Sequence, residues 1–202
     1  MTLIKRLFNI MYMRHKDENK RERIFNAAIQ LINEYGLSET SMSKIAKKAN
    51  VSASTIYVYF ENKEDMLNKL YVSIKKDMSL AVFHNYDESI TIQSAFEHAL
   101  KNFSDFILSH KDEFLFAEQF SNSPLLHKLS LMEGASLFEP LFKLYEKGKS
   151  ERVFKQVDTS LLHMFTFNPT MQYVKEVFGG RIELEQDRLD ELVQMTWDAI
   201  KA

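Results

Sequence analysis

Between Leu37 and Glu133 this chain has no glycine, and its 202 residues hold only 5 Gly and 3 Pro. Tight turns between strands depend on Gly and Pro for backbone angles that other residues resist. A β-sandwich or a doubly wound parallel sheet would need many more of them, so an all-α fold is expected. The apolar share of 45% and the charged share of 27% suit a chain that buries a real core rather than one that stays disordered. The absence of Cys excludes thiolate metal sites, disulfides and cysteine nucleophiles, and fits a reducing compartment. No stretch approaches the roughly 20 apolar residues of a membrane span, so a cytoplasmic protein with no membrane partner is expected. The basic-apolar start from Met1 to Met13 is short, contains Asn9 and lacks a small-residue cleavage site. It reads as a poorly ordered extension over residues 1–15 rather than a signal peptide.

Charge divides the chain. Residues 1–80 carry 14 Lys and Arg against 9 Asp and Glu, whereas residues 81–202 carry 12 against 19. A basic module joined to an acidic one is the arrangement this implies. Of the 16 Phe, 3 lie before residue 81 and 13 after it. One part is suited to meet an anion, the other to enclose something apolar.

From Asp17 to Tyr35, Ile24, Ala27, Ala28, Leu31, Ile32 and Tyr35 recur at helical spacing. Lys20, Arg21 and Arg23 stand at the start of that helix, where its dipole favours acids, which points to a role other than helix stability. Gly36 is placed to stop it. Thr40 and Ser41 offer caps for a second, short helix whose inner face is Met42, Ile45, Ala46 and Ala49. Asn50, which tolerates left-handed backbone, breaks that helix. Ser52 caps a third, Ala53 to Phe60, burying Ile56 and Phe60. Helices of this length with a four-residue turn between the last two describe a helix-turn-helix. Its second member must present small or polar side chains to a major groove. Here that face reads Ala53, Ser54, Thr55 and Val58, with Tyr57 and Tyr59 beside it, and no acidic residue occurs from Thr40 through Phe60.

These residues carry a resemblance. Ile24-Phe25-Asn26-Ala27-Ala28, Tyr35-Gly36, Thr40-Ser41-Met42-Ser43-Lys44-Ile45-Ala46 and the run Val51 to Leu67 resemble, over about residues 20–70, the N-terminal domain of the TetR family of transcriptional repressors. Asn50 stands where the family usually has Gly, and Tyr59 where many members have His. The resemblance implies that Thr40, Ser41 and Ser43 at the start of helix two hold phosphate, and that Lys44 and Ser52, the latter at the cap of helix three, also contact DNA. It implies that Ala53, Ser54 and Thr55 reach the groove floor, and that Tyr57, Tyr59 and Lys63 clamp the DNA backbone. With no Arg or Asn on the floor for a bidentate base contact, readout is expected to rest on a thymine methyl, single hydroxyls and DNA shape.

Beyond Asn62 the pattern stays helical: Lys63 to about Phe83, Thr91 to His110, Asp112 to Asn122, with breaks at Ser123-Pro124 and Gly148-Lys149-Ser150. Asp158 caps a helix that contains Pro169, where a kink is expected, and Gly179-Gly180 ends it before a last helix over 183–201. The expected organisation is an extension over 1–15, a helix-turn-helix DNA-binding domain over 16–62, and a helical ligand-binding and dimerisation domain over 63–202. Two half-sites one helical turn apart call for a dimer. The last two helices, about 158–178 and 183–201, are its expected surface. Trp197 is either an anchor of that surface or part of one subunit's core.

Residues 96–167 are unusually aromatic. Phe103, Phe106, Phe114, Phe116, Phe120, Phe138, Phe142, Tyr145, Phe165 and Phe167 exceed what a merely apolar core requires. With Gln119, His127, His163 and Asn168 as polar candidates they suggest a small-molecule site, and the resemblance implies an inducer-binding domain there. Phe103, Phe106, Phe116, Gln119, Phe120, His127, Phe138, Phe142, His163 and Phe167 are its candidate lining, for a hydrophobic or amphipathic effector. An enzyme has little support: there is no phosphate-cradling glycine loop, no nucleophile elbow and no metal-spaced His pair. The six His, at 15, 84, 98, 110, 127 and 163, are scattered. No cofactor or metal is expected. The expected function is a ligand-responsive repressor released from a palindromic operator on double-stranded DNA. An activator, or a relative working as a protein-interaction module, is the alternative.

Overall fold

The computed structural model describes the backbone of residues 2–85 and 89–202 and the side chains of residues 18–85 and 89–202. Among the described residues the fold is all-α, built from ten helices and no named strand. They are α1 (Thr2–Glu39), α2 (Met42–Lys48), α3 (Ala53–Tyr59), α4 (Lys63–Val82), α5 (Ile92–Ser109), α6 (Lys111–Ser121), α7 (Lys128–Ser136), α8 (Glu139–Ser150), α9 (Thr159–Phe178) and α10 (Gln186–Ile200). None of the described helices is long and apolar enough to cross a membrane.

Helix α1 begins at Thr2, so helical backbone runs through the segment read as an extension over 1–15; the side chains of residues 1–17 lie outside the described residues. Its regular course breaks at Gly36, whose φ of 84° and ψ of 168° suit a residue without a Cβ. Asn50 takes a φ of 53°, the left-handed conformation expected of it between α2 and α3. Across Pro169, α9 remains one helix from Thr159 to Phe178.

Two compact units emerge. The first joins Met1–Tyr71 with Leu115–His127, and the second joins Val72–Phe114 with Lys128–Ala202. Helices α4 and α6 each contribute residues to both, so the compact division falls inside α4 rather than at residue 62.

In the first unit, Ile24, Ala28 and Ile32 of α1, Ile45 of α2, Ile56 of α3 and Phe60 are all buried. The Phe25 and Phe60 rings lie 5.4 Å apart. Each of these side chains is removed from water by its neighbours, the dominant favourable term in holding short helices together. Asn68 explains why 115–127 belongs here. Buried on α4, its amide nitrogen donates to the carbonyls of Glu64 and Leu125, both at 2.9 Å, and its oxygen accepts from the His127 amide at 2.8 Å.

In the second unit α5, α8 and α9 pack against one another, and α10 lies along α9 and α5. Trp197 is buried within this chain, 5.6 Å from the Phe96 ring and 5.7 Å from Phe154. The core reading of Trp197 therefore replaces the anchor reading: its indole already has neighbours and has no free face for a partner. The C-terminus is fastened to the loop after α8, where Lys155 donates its amide to Ile200 and Ala202 donates to Val153, each at 2.9 Å.

Candidate nucleic-acid interface and effector region

The first unit presents α2 and α3 with their caps in place. Ser41 accepts from the Lys44 amide at 3.3 Å and Ser52 from the Thr55 amide at 3.1 Å. The Ser52 hydroxyl also lies 2.8 Å from the hydroxyls of both Ser54 and Thr55. These three oxygens form one polar cluster at the start of α3, on a face where Ala53, Ser54, Tyr57 and Val58 are exposed. Tyr57 is 56% exposed and Val58 79%, although neither is polar enough to choose water for its own sake. An exposed aromatic and an exposed valine side by side on a short helix suit contact with another molecule.

The remaining candidates divide. Ser43 and Lys44 are exposed, and the Lys44 ammonium donates to the Glu39 carbonyl at 2.6 Å. Tyr59 is half-buried, its ring 6.3 Å from Phe60. Lys63 is also half-buried; its ammonium donates to the Leu37 carbonyl, and burial pushes its pKa below the usual lysine range. One acceptor leaves two of the three N–H groups of an ammonium for another ligand. Thr40 departs from the expectation. It is 1% exposed, and its hydroxyl donates to the Gly36 carbonyl at 2.9 Å, closing the break near the end of α1. That hydroxyl is structural; the outward oxygen at the start of α2 belongs to Ser41.

The aromatic candidates do not form a single group either. Phe116, Gln119, Phe120 and His127 fall in the first unit. There Phe116 and Phe120 stack at 5.5 Å and Tyr71 lies 6.0 Å from Phe120, an ordinary core. Gln119 is exposed, and the exposed His127 reaches Glu64 at 2.6 Å.

In the second unit Phe106 stacks on His110, with centroids 4.3 Å apart, and Phe138 lies under the Lys75 ammonium at 4.6 Å. Phe142, His163, Phe167 and Phe103 come together. His163 is 6.0 Å from Phe142 and 5.4 Å from Phe167, which is in turn 4.8 Å from Phe103. Tyr145 of α8 joins them, 6.4 Å from both Phe142 and His163.

Two polar atoms in this unit are buried without a hydrogen-bond partner, His163 Nδ1 and Thr170 Oγ1, and the buried Tyr145 hydroxyl has only that of Thr166 beside it. The hydroxyl of Thr166, one α9 turn before Thr170, already gives its proton to the Leu162 carbonyl at 2.7 Å. Native interiors pair almost all such atoms, and leaving one unpaired costs about 1–3 kcal/mol. Burial pushes the Tyr145 hydroxyl above the usual phenol range. Burial first, and then the charge of Lys75, holds the His163 imidazole below its usual value. Both groups are therefore neutral near pH 7. Tyr145 was legible only as one more aromatic and Thr170 not at all; the available signal was the pair Thr166 and Thr170, four apart on the buried face of α9.

A capped, exposed α3 free of acidic residues defines a helix-turn-helix DNA-binding module attached to a helical second domain. Comparison with known proteins identifies the family. Residues 24–70 match the model of the bacterial regulatory proteins of the tetR family, and residues 91–201 match the tetracyclin repressor-like C-terminal domain. The chain belongs to the TetR family of transcriptional regulators. It is 23% identical to an uncharacterized HTH-type transcriptional regulator of Haemophilus influenzae over 198 residues, covering 94% of this chain and 100% of that one. A TetR family regulator from Marinobacter aquaeolei VT8 superposes with a TM-score of 0.87 at 24% identity, covering 93% of this chain and 98% of its own. FadR of Bacillus subtilis, in complex with stearoyl-CoA, shares the fold at a TM-score of 0.68 and 19% identity, covering 88% and 95%.

Proposed function

We propose that this regulator is a cytoplasmic homodimeric repressor, without enzymatic activity, that leaves a palindromic operator when an amphipathic molecule enters its second domain. The observation that carries the reading is the aromatic cluster of Phe103, Phe142, Tyr145, His163 and Phe167 in that domain, with His163 Nδ1 buried and unpaired. Pockets that combine apolar walls with a few convergent polar groups are the usual form of small-molecule sites. The FadR neighbour's stearoyl-CoA supports an effector with a long apolar part. On the DNA side, Ser41, Ser43, Lys44, Tyr57, Tyr59 and Lys63 are assigned to phosphates, and Ala53, Ser54 and Thr55 to the groove. The DNA-binding role is assigned to residues 16–62 and the effector and dimer roles to residues within 63–202, although the compact units divide inside α4 rather than at residue 62. Helix α4 carries both Lys63 and Lys75. A ligand that shifts α4 at Lys75 therefore acts on the element that holds Lys63. A coupling of about 1–3 kcal/mol changes DNA affinity roughly 5- to 150-fold.

The test is selection of fragments from the source genome by the purified protein at about 150 mM salt, with Tyr57→Ala beside it. Enrichment of one or a few palindromes by the wild type is expected. Tyr57→Ala should lose affinity evenly across sequences, as a phosphate contact does. Absence of enrichment both before and after unfolding and refolding to strip bound ligand would remove the operator reading.

The dimer is assigned to α9 and α10. Leu161, Met164 and Phe165 lie on one outer stripe of α9, and Met195 stands out from α10; all four are exposed. Bulky apolar side chains grouped in this way mark an association surface. Light scattering should give the wild type twice its 23.7 kDa chain mass. The double variant Phe165→Glu, Met195→Glu should run at the single-chain mass with unchanged helix content. A variant that remains dimeric would move the interface elsewhere.

A further inference from the structure

Lys20, Arg21 and Arg23 have no task among the contacts assigned so far. Because α1 begins at Thr2, they lie well inside the helix, beyond the first turn where its dipole acts. Their surroundings separate them. Lys20 is half-buried and already has a partner. Arg21 and Arg23 are exposed, and two residues apart on a helix they project to nearly opposite sides.

Arg21 is the one that the fold holds in place. Its guanidinium carbon lies 5.1 Å from the centroid of the Phe25 ring. The Phe25 ring is 5.4 Å from that of Phe60, which is in turn 6.3 Å from that of Tyr59. A run of contacts therefore leads from Arg21 to Tyr59, and its three steps together span no more than about half a turn of B-DNA. Phe25 and Phe60 are buried, so the rings that carry Arg21 belong to the core of the unit. A guanidinium over a ring is held by its face, and its N–H groups, which lie in its own plane, stay available to an acceptor.

Among the described residues no carboxylate pairs with Arg21. Lys69 makes the contrast: it lies over the Phe60 ring at 5.7 Å and is paired with Asp65 at 2.8 Å. A cation held rigidly, with its donors open to solvent, fits an anion. Its neighbourhood says which one. The run of rings ends at Tyr59, assigned to the DNA backbone, and no acidic residue occurs from Thr40 through Phe60. A strand that reaches Tyr59 carries further phosphates past it at regular spacing.

We propose that Arg21 is a further DNA-binding residue, whose guanidinium, held over Phe25, takes a backbone phosphate further along the strand gripped by Tyr59. Arg23, on the other side of α1, makes no such contact. The inference rests on the reading of α2 and α3 as the DNA-binding face, and extends that face onto α1.

Fluorescence anisotropy of the full-length protein with a labelled duplex of about 40 base pairs and mixed sequence tests it, since phosphate contacts do not need an operator. The salt range is about 0.05 to 0.2 M. At about 0.1 M, Arg21→Gln is expected to bind about tenfold more weakly than the wild type. Its slope of log affinity against log salt should be shallower by about 0.9 for each subunit on the DNA, the share of one phosphate. Arg23→Gln removes the same charge from the same stretch of α1 and should stay within about twofold, with its slope unchanged. Arg21→Lys keeps the charge but not the planar fork, so it should keep the slope and fall between the two. All three variants should melt within about 2 °C of the wild type, as exposed substitutions do. Arg21→Gln binding like the wild type, with an unchanged slope, would overturn the contact and leave the helix-turn-helix reading standing. Equal losses in Arg21→Gln and Arg23→Gln would overturn it as well, because a general field of the basic module would then explain both. An earlier melt of Arg21→Gln with wild-type affinity would make the contact with Phe25 purely structural. Wild-type protein that leaves the duplex unbound at the lowest salt would remove the DNA-binding reading itself, and this inference with it.

Discussion

Replacing Val58 with Glu is expected to lower operator affinity about a hundredfold at 0.15 M salt while leaving the melting temperature where it was. Val58 is 79% exposed in the last turn of α3 and shares a face with Ser54, four residues earlier. Nothing in the fold uses its side chain, and exposed substitutions of this kind stay within about 0.5 kcal/mol. The surface assigned to DNA is different, since the whole stretch from Thr40 to Phe60 lacks an acidic residue. A carboxylate about 8 Å from a phosphate, at an effective dielectric near 20, costs about 2 kcal/mol before screening. The cost is incurred once per subunit of a dimer, and salt removes part of it. Val58→Gln, which has nearly the same shape without the charge, separates repulsion from lost apolar contact. Fluorescence anisotropy over a salt series decides the matter: the gap between Glu and Gln should narrow as salt rises. A Glu variant that binds within threefold of Gln at low salt would mean that α3 does not face the phosphates.

Much of the DNA-facing part was legible because local chemistry determines it. A glycine at the end of a regular helix, an asparagine in a four-residue turn and a serine before an apolar stripe each satisfy a backbone requirement within a few residues of themselves. Gly36, Asn50 and Ser52 do so. Thr40 misled because Thr40 and Ser41 were equivalent as caps in the sequence. The break at Gly36 leaves a carbonyl that only one of them reaches, and the one that reaches it is buried.

The second unit was harder to read, for the same reason in reverse. Phe116 and Phe120 pack with Tyr71, and Phe103 and Phe167 pack with each other. Composition cannot distinguish these pairings, because apolar burial is non-directional. His127 read as a pocket histidine, yet its amide is held by Asn68 and its ring by Glu64, two partners more than fifty residues away in sequence. The buried polar atoms His163 Nδ1 and Thr170 Oγ1 are defined by what they lack. A missing hydrogen bond is a property of three-dimensional placement, and no spacing rule announces it.

Gly148→Ala should destabilise the protein by about 2–3 kcal/mol even though alanine is the better helix former. Gly148 is buried in α8, and a Cβ on it would stand 2.1 Å from Cδ2 and 2.4 Å from Cε2 of Phe154. The phenyl ring cannot retreat cheaply. It is fully buried, with Phe96 and Tyr145 each 6.2 Å away and Trp197 at 5.7 Å. Its backbone is fixed as well, since the amides of Val153 and Phe154 donate to the Gly148 carbonyl at 2.8 and 3.0 Å. Relief must come from moving a packed aromatic set, and an overlap this close places the cost at about 3–4 kcal/mol, at or above the top of the usual range for overpacking. The gain in helix propensity, about 1 kcal/mol, offsets only part of it. For a chain of this size the melting temperature should fall by about 6–10 °C. Phe154→Leu supplies the control. Alone it leaves a void and destabilises; combined with Gly148→Ala it gives the new methyl room, so the double variant should be more stable than the two single losses predict by at least 1 kcal/mol. A Gly148→Ala protein melting within 1 °C of wild type would show that the aromatic set yields freely.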